Sequence, residues 1–336
     1  MDVPSYPLPD EAIAQTPVEP RDAARLLVAL DPDRVEHRQV RDLPEMVGPG
    51  DVIVVNTSRV LPARLHLTKR TGGAAEVLLL EPDPAAGPDT WLALVRPGRR
   101  LAPGTELLAG DRVAVIVGER AGDGQRRVRL LVDPTQADIG EIPLPPYIHQ
   151  PLADPERYQT VYADQPGSVA APTAGLHLTD EVIDRCRQRG ATVAVVDLAV
   201  GLGTFRPVTA AKAEDHEMHT ERYQVPASTM EACRTARRVV AVGTTTVRAL
   251  ETAAATGNPE GRSQLFIHGH FHWKLVDVLL TNFHQPRSTL LLLLEAFYGP
   301  GWRDLYQVAL DEGYRFLSFG DAMLVAGGRS RVGAQP

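Results

Sequence analysis

Three short apolar runs most constrain what this chain can fold into. They are Asp51-Val52-Ile53-Val54-Val55-Asn56, Ala191 to Leu198 and Val239-Val240-Ala241-Val242, and helical patterns lie between them. Runs this apolar and β-branched read as strands buried on both faces, which an α/β sheet covered by helices requires. Thr179 to Arg189 predicts a helix, with a capping threonine, acids in the first turn and a stop at Gly190. Ser228 to Arg238, Thr246 to Thr256 before Gly257, Thr289 to Phe297 and Trp302 to Asp311 read as further helices. Ala322 to Val325 reads as a last strand, Gln264 to Val278 as one or two strands, and Asp22 to Leu30 as a short helix.

Between about 62 and 145 the pattern changes to β alone. Arg64 to Thr68 alternates, Val77 to Leu80 and Trp91 to Val95 are apolar, and Arg112 to Val117 and Arg127 to Val132 flank the Gly122-Asp123-Gly124 turn as a hairpin. Short strands at this spacing predict a small barrel or sandwich. Pro143-Leu144-Pro145-Pro146-Tyr147 reads as a hinge. The expectation is a main α/β domain (1–62 and 146–336), with a mixed sheet or open barrel, and an inserted β-barrel-like domain (63–145).

Composition narrows the function. Of 336 residues 43% are hydrophobic and 23% charged, which excludes collagen-like and disordered classes. A net charge of -7 excludes a generally basic coat for nucleic acid, though not a local basic patch. Two cysteines cannot build a disulfide framework or a four-cysteine zinc site. The longest aliphatic run, Leu290 to Leu294, is too short to span a bilayer, and the acidic, proline-rich N-terminus is unlike a signal peptide, so a cytoplasmic protein is expected.

Several residues carry possible chemistry. His216 and His219 stand three apart, the spacing of one helix face, where surface or capping histidines are commoner than a metal pair. His268, His270 and His272 alternate and would share one face of a strand. Asn282 and His284 follow a strand, where sites often sit. Gly201-Leu202-Gly203-Thr204 lets backbone amides approach an anion, and Val242-Gly243-Thr244-Thr245-Thr246 reads as strand, turn and helix N-terminus, which also attracts anions. The spacing alone supports an α/β enzyme of unassigned reaction.

Taken together the segments resemble the S-adenosylmethionine:tRNA ribosyltransferase-isomerase family of queuosine biosynthesis over nearly the whole chain. The residues that carry the likeness include Asn56-Thr57-Ser58-Arg59-Val60-Leu61-Pro62-Ala63-Arg64, Gly140 to Ile148 and Arg157-Tyr158-Gln159-Thr160-Val161-Tyr162. Ala170-Ala171-Pro172-Thr173-Ala174-Gly175-Leu176-His177 is the most specific. Gly203-Thr204-Phe205-Arg206-Pro207-Val208, Val242-Gly243-Thr244-Thr245, Thr281-Asn282-Phe283-His284 and Tyr314 through Met323 follow in order. The resemblance implies an α/β domain with an inserted β-barrel-like domain. It implies transfer and isomerisation of the ribosyl part of S-adenosylmethionine onto the aminomethyl group of a 7-deazaguanine base in tRNA. Epoxyqueuosine, adenine and methionine are the products. No metal or other cofactor is implied, S-adenosylmethionine being the ribosyl donor, and a monomer without membrane contact is expected.

That chemistry needs a base for a C5′ hydrogen acidified by the sulfonium, a proton donor for departing adenine and a neutral acceptor amine. His177 and His219 are the expected proton-transfer residues, with His284 third. Phe205 or Tyr314 would stack on adenine or face the sulfonium, and Glu295 or Asp321 would balance the cation. Arg59, Arg64 and Arg206 would hold the methionine carboxylate or tRNA phosphates. Thr173, Gly203, Thr204, Thr244 and Asn282 complete the expected substrate contacts. The chain departs from the family at Leu198-Ala199-Val200-Gly201, where a histidine usually follows the leucine, and at His268-Gly269-His270-Phe271-His272-Trp273-Lys274, where a proline-glycine loop is usual. These changes leave room for two alternatives: a paralogue that modifies a small-molecule acceptor, and a catalytically decayed S-adenosylmethionine-binding protein.

Overall fold

The computed structural model describes residues 2–31, 33–98, 100–122, 124–133, 139–201, 208, 210, 212–216 and 218–329. The chain divides into two compact units. The first comprises Met1–Ser58, Pro145–Gln165 and Ala171–Pro336, and the second Arg59–Leu144 and Pro166–Ala170.

In the first unit, β1 (Arg25–Asp31), β2 (Arg34–Gln39) and β3 (Asp51–Asn56) come before the excursion to the second. The second unit holds β4 (Ser58–Val60), β5 (Arg64–Lys69), β6 (Ala74–Pro82), β7 (Thr90–Arg96), β8 (Glu106–Ala109), β9 (Arg112–Gly122), β10 (Gln125–Leu130), β11 (Gly140–Glu141) and β12 (Gln165–Ser168), whose first and last strands begin at the boundary. The chain then returns through β13 (Thr192–Leu198), β14 (Glu221–Gln224), β15 (Arg238–Val242), β16 (Glu260–Ser263), β17 (Val278–Asn282) and β18 (Ala322–Ala326). Among the described residues nine strands form one open sheet in the order β16-β14-β13-β3-β15-β17-β18-β1-β2. Its centre, β13-β3-β15-β17, is parallel; β18 runs antiparallel to β17 and parallel to β1.

Every residue of β3 is buried, as its unbroken apolar run requires of a strand covered on both faces. One set of alternate side chains, including Ile53, Val55, Val240, Val242 and Leu280, packs with Val182, Ile183 and Cys186 of α1 (Asp180–Gln188). The strands β13, β3, β15 and β17 also carry α3 (Thr244–Thr256), the next helix but one after α1; α2 (Ala227–Thr235) lies between them in sequence. The caps follow the sequence. Thr179 Oγ1 accepts the Val182 N–H at 3.2 Å, and Gly257 ends α3 at φ +74°. α4 (Thr289–Tyr298) and α5 (Trp302–Asp311) complete the helices.

Two sequence expectations fail here. Asp22 to Leu30 is not a helix: a 3-10 turn over Arg21–Ala23 gives way to β1, whose residues pair with both β18 and β2. Pairing with two neighbours overrides the helical propensity of Leu and Ala. Nor does Gln264 to Val278 form strands. Residues 264–277 are irregular, and β17 begins only at Val278.

The irregular stretch is held by one buried carboxylate. Glu251 of α3 is fully enclosed and accepts the N–H groups of Lys274 (2.9 Å), Leu275 (3.0 Å) and Val276 (3.0 Å). Burial raises its pKa. Glu251→Ala leaves three main-chain donors unfilled, two of them buried, and is expected to cost this unit about 3 kcal/mol. Chemical denaturation checks this, as does faster hydrogen exchange at 274–276; unchanged exchange there would refute it.

In the second unit β5-β6-β7-β10-β9-β8 closes into a six-stranded barrel through the β5–β8 pairing, with β11 added on β5. Alternation fills its interior: Leu65, Leu67, Val77, Leu79, Val95, Val115 and Val128 are buried. The unit starts at Arg59, earlier than the expected residue 63, and takes in 166–170, because β4 pairs with β12. Among the described residues no helix is long and apolar enough to cross a membrane.

Candidate active site

In an open sheet with parallel strands, ligands tend to bind outside the carboxyl ends of those strands. Here the parallel strands end at Asn56, Leu198, Val242 and Asn282. Asn56 ties the first three ends together. Its Oδ1 accepts the N–H of Leu198 (3.0 Å) and of Ser58 (3.2 Å), while Nδ2 donates to the Leu198 carbonyl (3.0 Å) and to Thr245 Oγ1 (3.3 Å).

The second cluster forms around Asn282. Thr173 Oγ1 donates to Asn282 Oδ1 at 3.1 Å. Asn282 Nδ2 donates to His177 Nε2 (2.9 Å) and to the Leu317 carbonyl (3.2 Å). His177 therefore accepts at Nε2 and is neutral. Burial pushes its pKa down to about 3, aided by the charges of Arg157, Arg315 and Arg21. His177 ends the 3-10 turn Thr173–His177, which can pack this closely because position 175 is glycine: a Cβ there would collide with the Tyr162 hydroxyl and Thr160. His284 is also buried, with Nε2 3.0 Å from Thr281 Oγ1, and burial takes its pKa to about 3. Its main chain is clamped by two tyrosines: Tyr6 donates to its carbonyl (2.6 Å), and its N–H donates to Tyr306 (2.8 Å).

Three adjoining clefts open along these strand ends. The first, of about 520 Å³, has His216, His219, Thr244, Arg248, Phe266 and Leu293 in its walls. The second, of about 370 Å³, is bounded by Pro172, Thr173, Gly243, Thr244, Asn282 and His284. The third, of about 340 Å³, lies between Tyr147, Thr173, Asn282, His284, Leu317 and Ser318. Leu290 lines all three. Buried in the first cleft is an ion pair between Arg248 and Glu221, and Glu221 Oε1 also accepts the Gly201 N–H at 3.0 Å.

The structure thus brings Thr173, His177, Thr244, Asn282 and His284 together, with His219 exposed at the wall of the first cleft. Other expected residues among those described do not line the three clefts, although the Asp321 carbonyl stands 3.5 Å from Asn282 Nδ2. Arg59 on β4 and Arg64 on β5 belong to the barrel unit, where Arg64 stands opposite Glu141 in the β5–β11 ladder. The Tyr314 ring is covered by the Arg25 guanidinium at 3.8 Å, and its hydroxyl meets His37 Nδ1 at 2.8 Å. Asp321 spends both oxygens on main-chain amides, those of Arg25 (2.9 Å) and Arg315 (2.8 Å). Glu295 pairs with Arg303 at 2.9 Å. Gly203, Thr204, Phe205 and Arg206 lie outside the described residues.

The histidine patterns also resolve differently. His216 follows a 3-10 turn, so it and His219 do not share a helix face. His268 is half-buried against the Phe266 ring (centroids 4.5 Å apart), while His270 and His272 are exposed on irregular chain. Among the described residues no group of three or more His, Cys, Asp or Glu is placed to hold a metal ion. Sequence reasoning missed Asn56, Glu221 and Arg248. The signal for Arg248 was present: one charge in an otherwise uncharged turn, four residues after Thr244.

Residues 3–325 match the family described as queuosine biosynthesis protein. The chain is 50% identical to the S-adenosylmethionine:tRNA ribosyltransferase-isomerase of Rubrobacter xylanophilus, an alignment covering 96% of each chain. It is 49% identical to the protein of that name from Thermus thermophilus, over 95% of this chain and 97% of the other. It also resembles the crystal structure of S-adenosylmethionine tRNA ribosyltransferase from Thermotoga maritima, with a TM-score of 0.54 and 39% identity, covering 96% of this chain and 99% of that one. The chain belongs to the queuosine biosynthesis protein family.

Proposed function

We propose that this chain is an S-adenosylmethionine:tRNA ribosyltransferase-isomerase. It transfers and isomerises the ribosyl moiety of S-adenosylmethionine onto the 7-aminomethyl-7-deazaguanine base of tRNA, forming epoxyqueuosine and releasing adenine and methionine. The observation that carries this reading is identity near one half, over almost the full length, to enzymes of that name. The adjoining clefts lie at the carboxyl ends of the parallel strands, where open α/β sheets tend to bind ligands.

The reaction needs proton transfers at the ribose and at the departing purine. His219 is the imidazole suited to them, since it is exposed at a cleft wall, whereas His177 and His284 are buried and neutral. His177 acts instead through Asn282, fixing the amide that, with Thr173, borders two clefts. Thr244 lines the first two clefts and is a substrate contact. The Gly203-Thr204-Phe205-Arg206 pattern and the barrel arginines Arg59 and Arg64 are further contacts for donor or tRNA. The reaction so proposed takes place in the cytoplasm, on a monomer, with no resident metal or cofactor.

The test is incubation of the protein with S-adenosylmethionine and tRNA bearing the aminomethyl-deazaguanine base. Adenine and the heavier nucleoside are expected by mass spectrometry, and turnover should survive dialysis against EDTA. Binding of tRNA should weaken steeply with added salt. His219→Ala should slow adenine release. Absence of adenine, or turnover that needs no RNA and ignores salt, would overturn the proposal.

A further inference from the structure

We infer that the first turn of α3, together with Arg248, seats a ligand carboxylate, which in the proposed reaction is that of the methionine half of S-adenosylmethionine. This deepens the reading above and rests on it.

The first N–H groups of any α-helix lack intrahelical partners and point along its positive end. In α3 these belong to Thr244, Thr245 and Thr246. The N-cap is Gly243, at φ +86°, which offers no side chain, and no side chain caps the helix. Thr246 turns its hydroxyl away, donating to the Val242 carbonyl at 2.7 Å. Gly243, Thr244 and Thr245 line the second cleft, and Thr244 and Thr245 also line the first. The uncapped turn therefore sits where two clefts meet.

Arg248 supplies the independent observation. It stands four residues after Thr244, on the same face, and helical side chains lean toward the N-terminus. It is only 6% exposed and lines the first cleft beside Thr244 and Thr245. Two of its donors are satisfied: Nη1 by Glu221, and Nε by the Leu265 carbonyl at 3.2 Å. Nη2 is enclosed and has no partner among the described residues. A buried charged donor left unfilled is costly, and here it stands in the wall of the same cleft as the uncapped helix turn, which is what points to an incoming acceptor.

The acceptor's class follows from the surroundings. Glu221 cancels the charge of Arg248, so the site offers directed N–H donors rather than net positive charge. The Glu221 carboxylate beside the site disfavours a multiply charged phosphate. Phe266, Ile267, Leu290 and Leu293 wall the first cleft, which suits a small molecule with an apolar body and one anionic end. A carboxylate accepts two donors in a plane, matching Arg248 Nη2 and a helix amide.

Calorimetry on the full chain tests this with three probes: S-adenosylmethionine, its decarboxylated analogue S-adenosyl-3-methylthiopropylamine, and inorganic phosphate. Loss of the carboxylate is expected to weaken binding by at least about tenfold. Arg248→Met alone strands Glu221 and risks misfolding, so the double variant Glu221→Gln/Arg248→Met is used. It should bind the two nucleosides within about twofold of each other. Equal affinities in the parent protein, or the parent ratio retained in the double variant, would overturn the inference; so would phosphate competing with S-adenosylmethionine at low millimolar concentration. Adenine release, measured alongside, separates the two readings. Release together with equal affinities removes the carboxylate seat and leaves the reaction standing, whereas neither binding nor release removes both.

Discussion

Acidification from pH 7 to pH 4 is expected to cost the sheet unit about 3 kcal/mol of stability for each of His177 and His284. Burial holds both imidazoles neutral in the folded chain, with pKa values of about 3, whereas unfolding returns them to the ordinary 6.5. The folded-state values are depressed, so between 6.5 and 3 the unfolded chain binds protons that the folded chain refuses. The stability that these two residues contribute is fully present above pH 6.5 and is lost as pH falls toward 3. Carboxylates titrate in the lower part of the same range, so the measurement is a difference. Urea unfolding of the parent and of His177→Gln is followed at pH 7, 5.5 and 4. The variant should lose less stability than the parent over that span, by about 3 kcal/mol at pH 4. Parallel curves would mean that His177 is not a buried neutral base. The same burial denies both residues the role of imidazolium donor at pH 7.

Replacing Asn282 by alanine should lower kcat/KM by about 10²-fold, because small displacements of positioning groups carry penalties of that size. The amide is fixed at both ends: Thr173 donates to its oxygen, while its nitrogen donates to His177 and to the Leu317 carbonyl. It stands at the last residue of β17, between the second and third clefts. Alanine removes the group that borders both clefts and leaves His177 Nε2 buried without its donor. Adenine release, measured beside circular dichroism and thermal unfolding, separates a lost contact from a lost fold. A variant that folds normally and works within threefold of the parent would refute the assignment. His177→Gln, whose amide oxygen can reach the place of Nε2, should recover part of the activity lost in His177→Ala.

The strands easiest to read were the apolar runs at 51–56, 191–198 and 239–242. The first and last are buried throughout, but β13 is buried only from Val196 to Leu198, and Val195 is 40% exposed. The barrel hairpin at 112–132 was legible from its glycine turn, and α1 from Thr179 and Gly190. What failed was decided by distant partners. Leu26 to Ala29 have helical propensity, yet β18, almost three hundred residues away, draws them into the sheet. The alternating histidines 268, 270 and 272 mimic a strand face, but Gly269 at φ +59° breaks any ladder there and Glu251 captures the following amides. The site was half legible. Thr173, His177, Asn282 and His284 stood out in their motifs, but that Thr173 meets Asn282, and Asn56 meets Thr245, depends on sheet order. Tyr314 and Asp321 sit in the same kind of motif and turn out to brace the chain around Arg25.

Ten consecutive residues of α3, from Thr244 to Ala253, are buried, and the helix is anchored near its far end by three amides on Glu251. A rod held this way cannot rotate or slide to suit its guest. Its dipoles already stand where an incoming charge would need them, so little reorganisation energy remains to be spent at the moment of capture. Loosening the distal anchor should therefore blunt selectivity at the opposite tip, seven residues away, without altering any atom that a substrate touches.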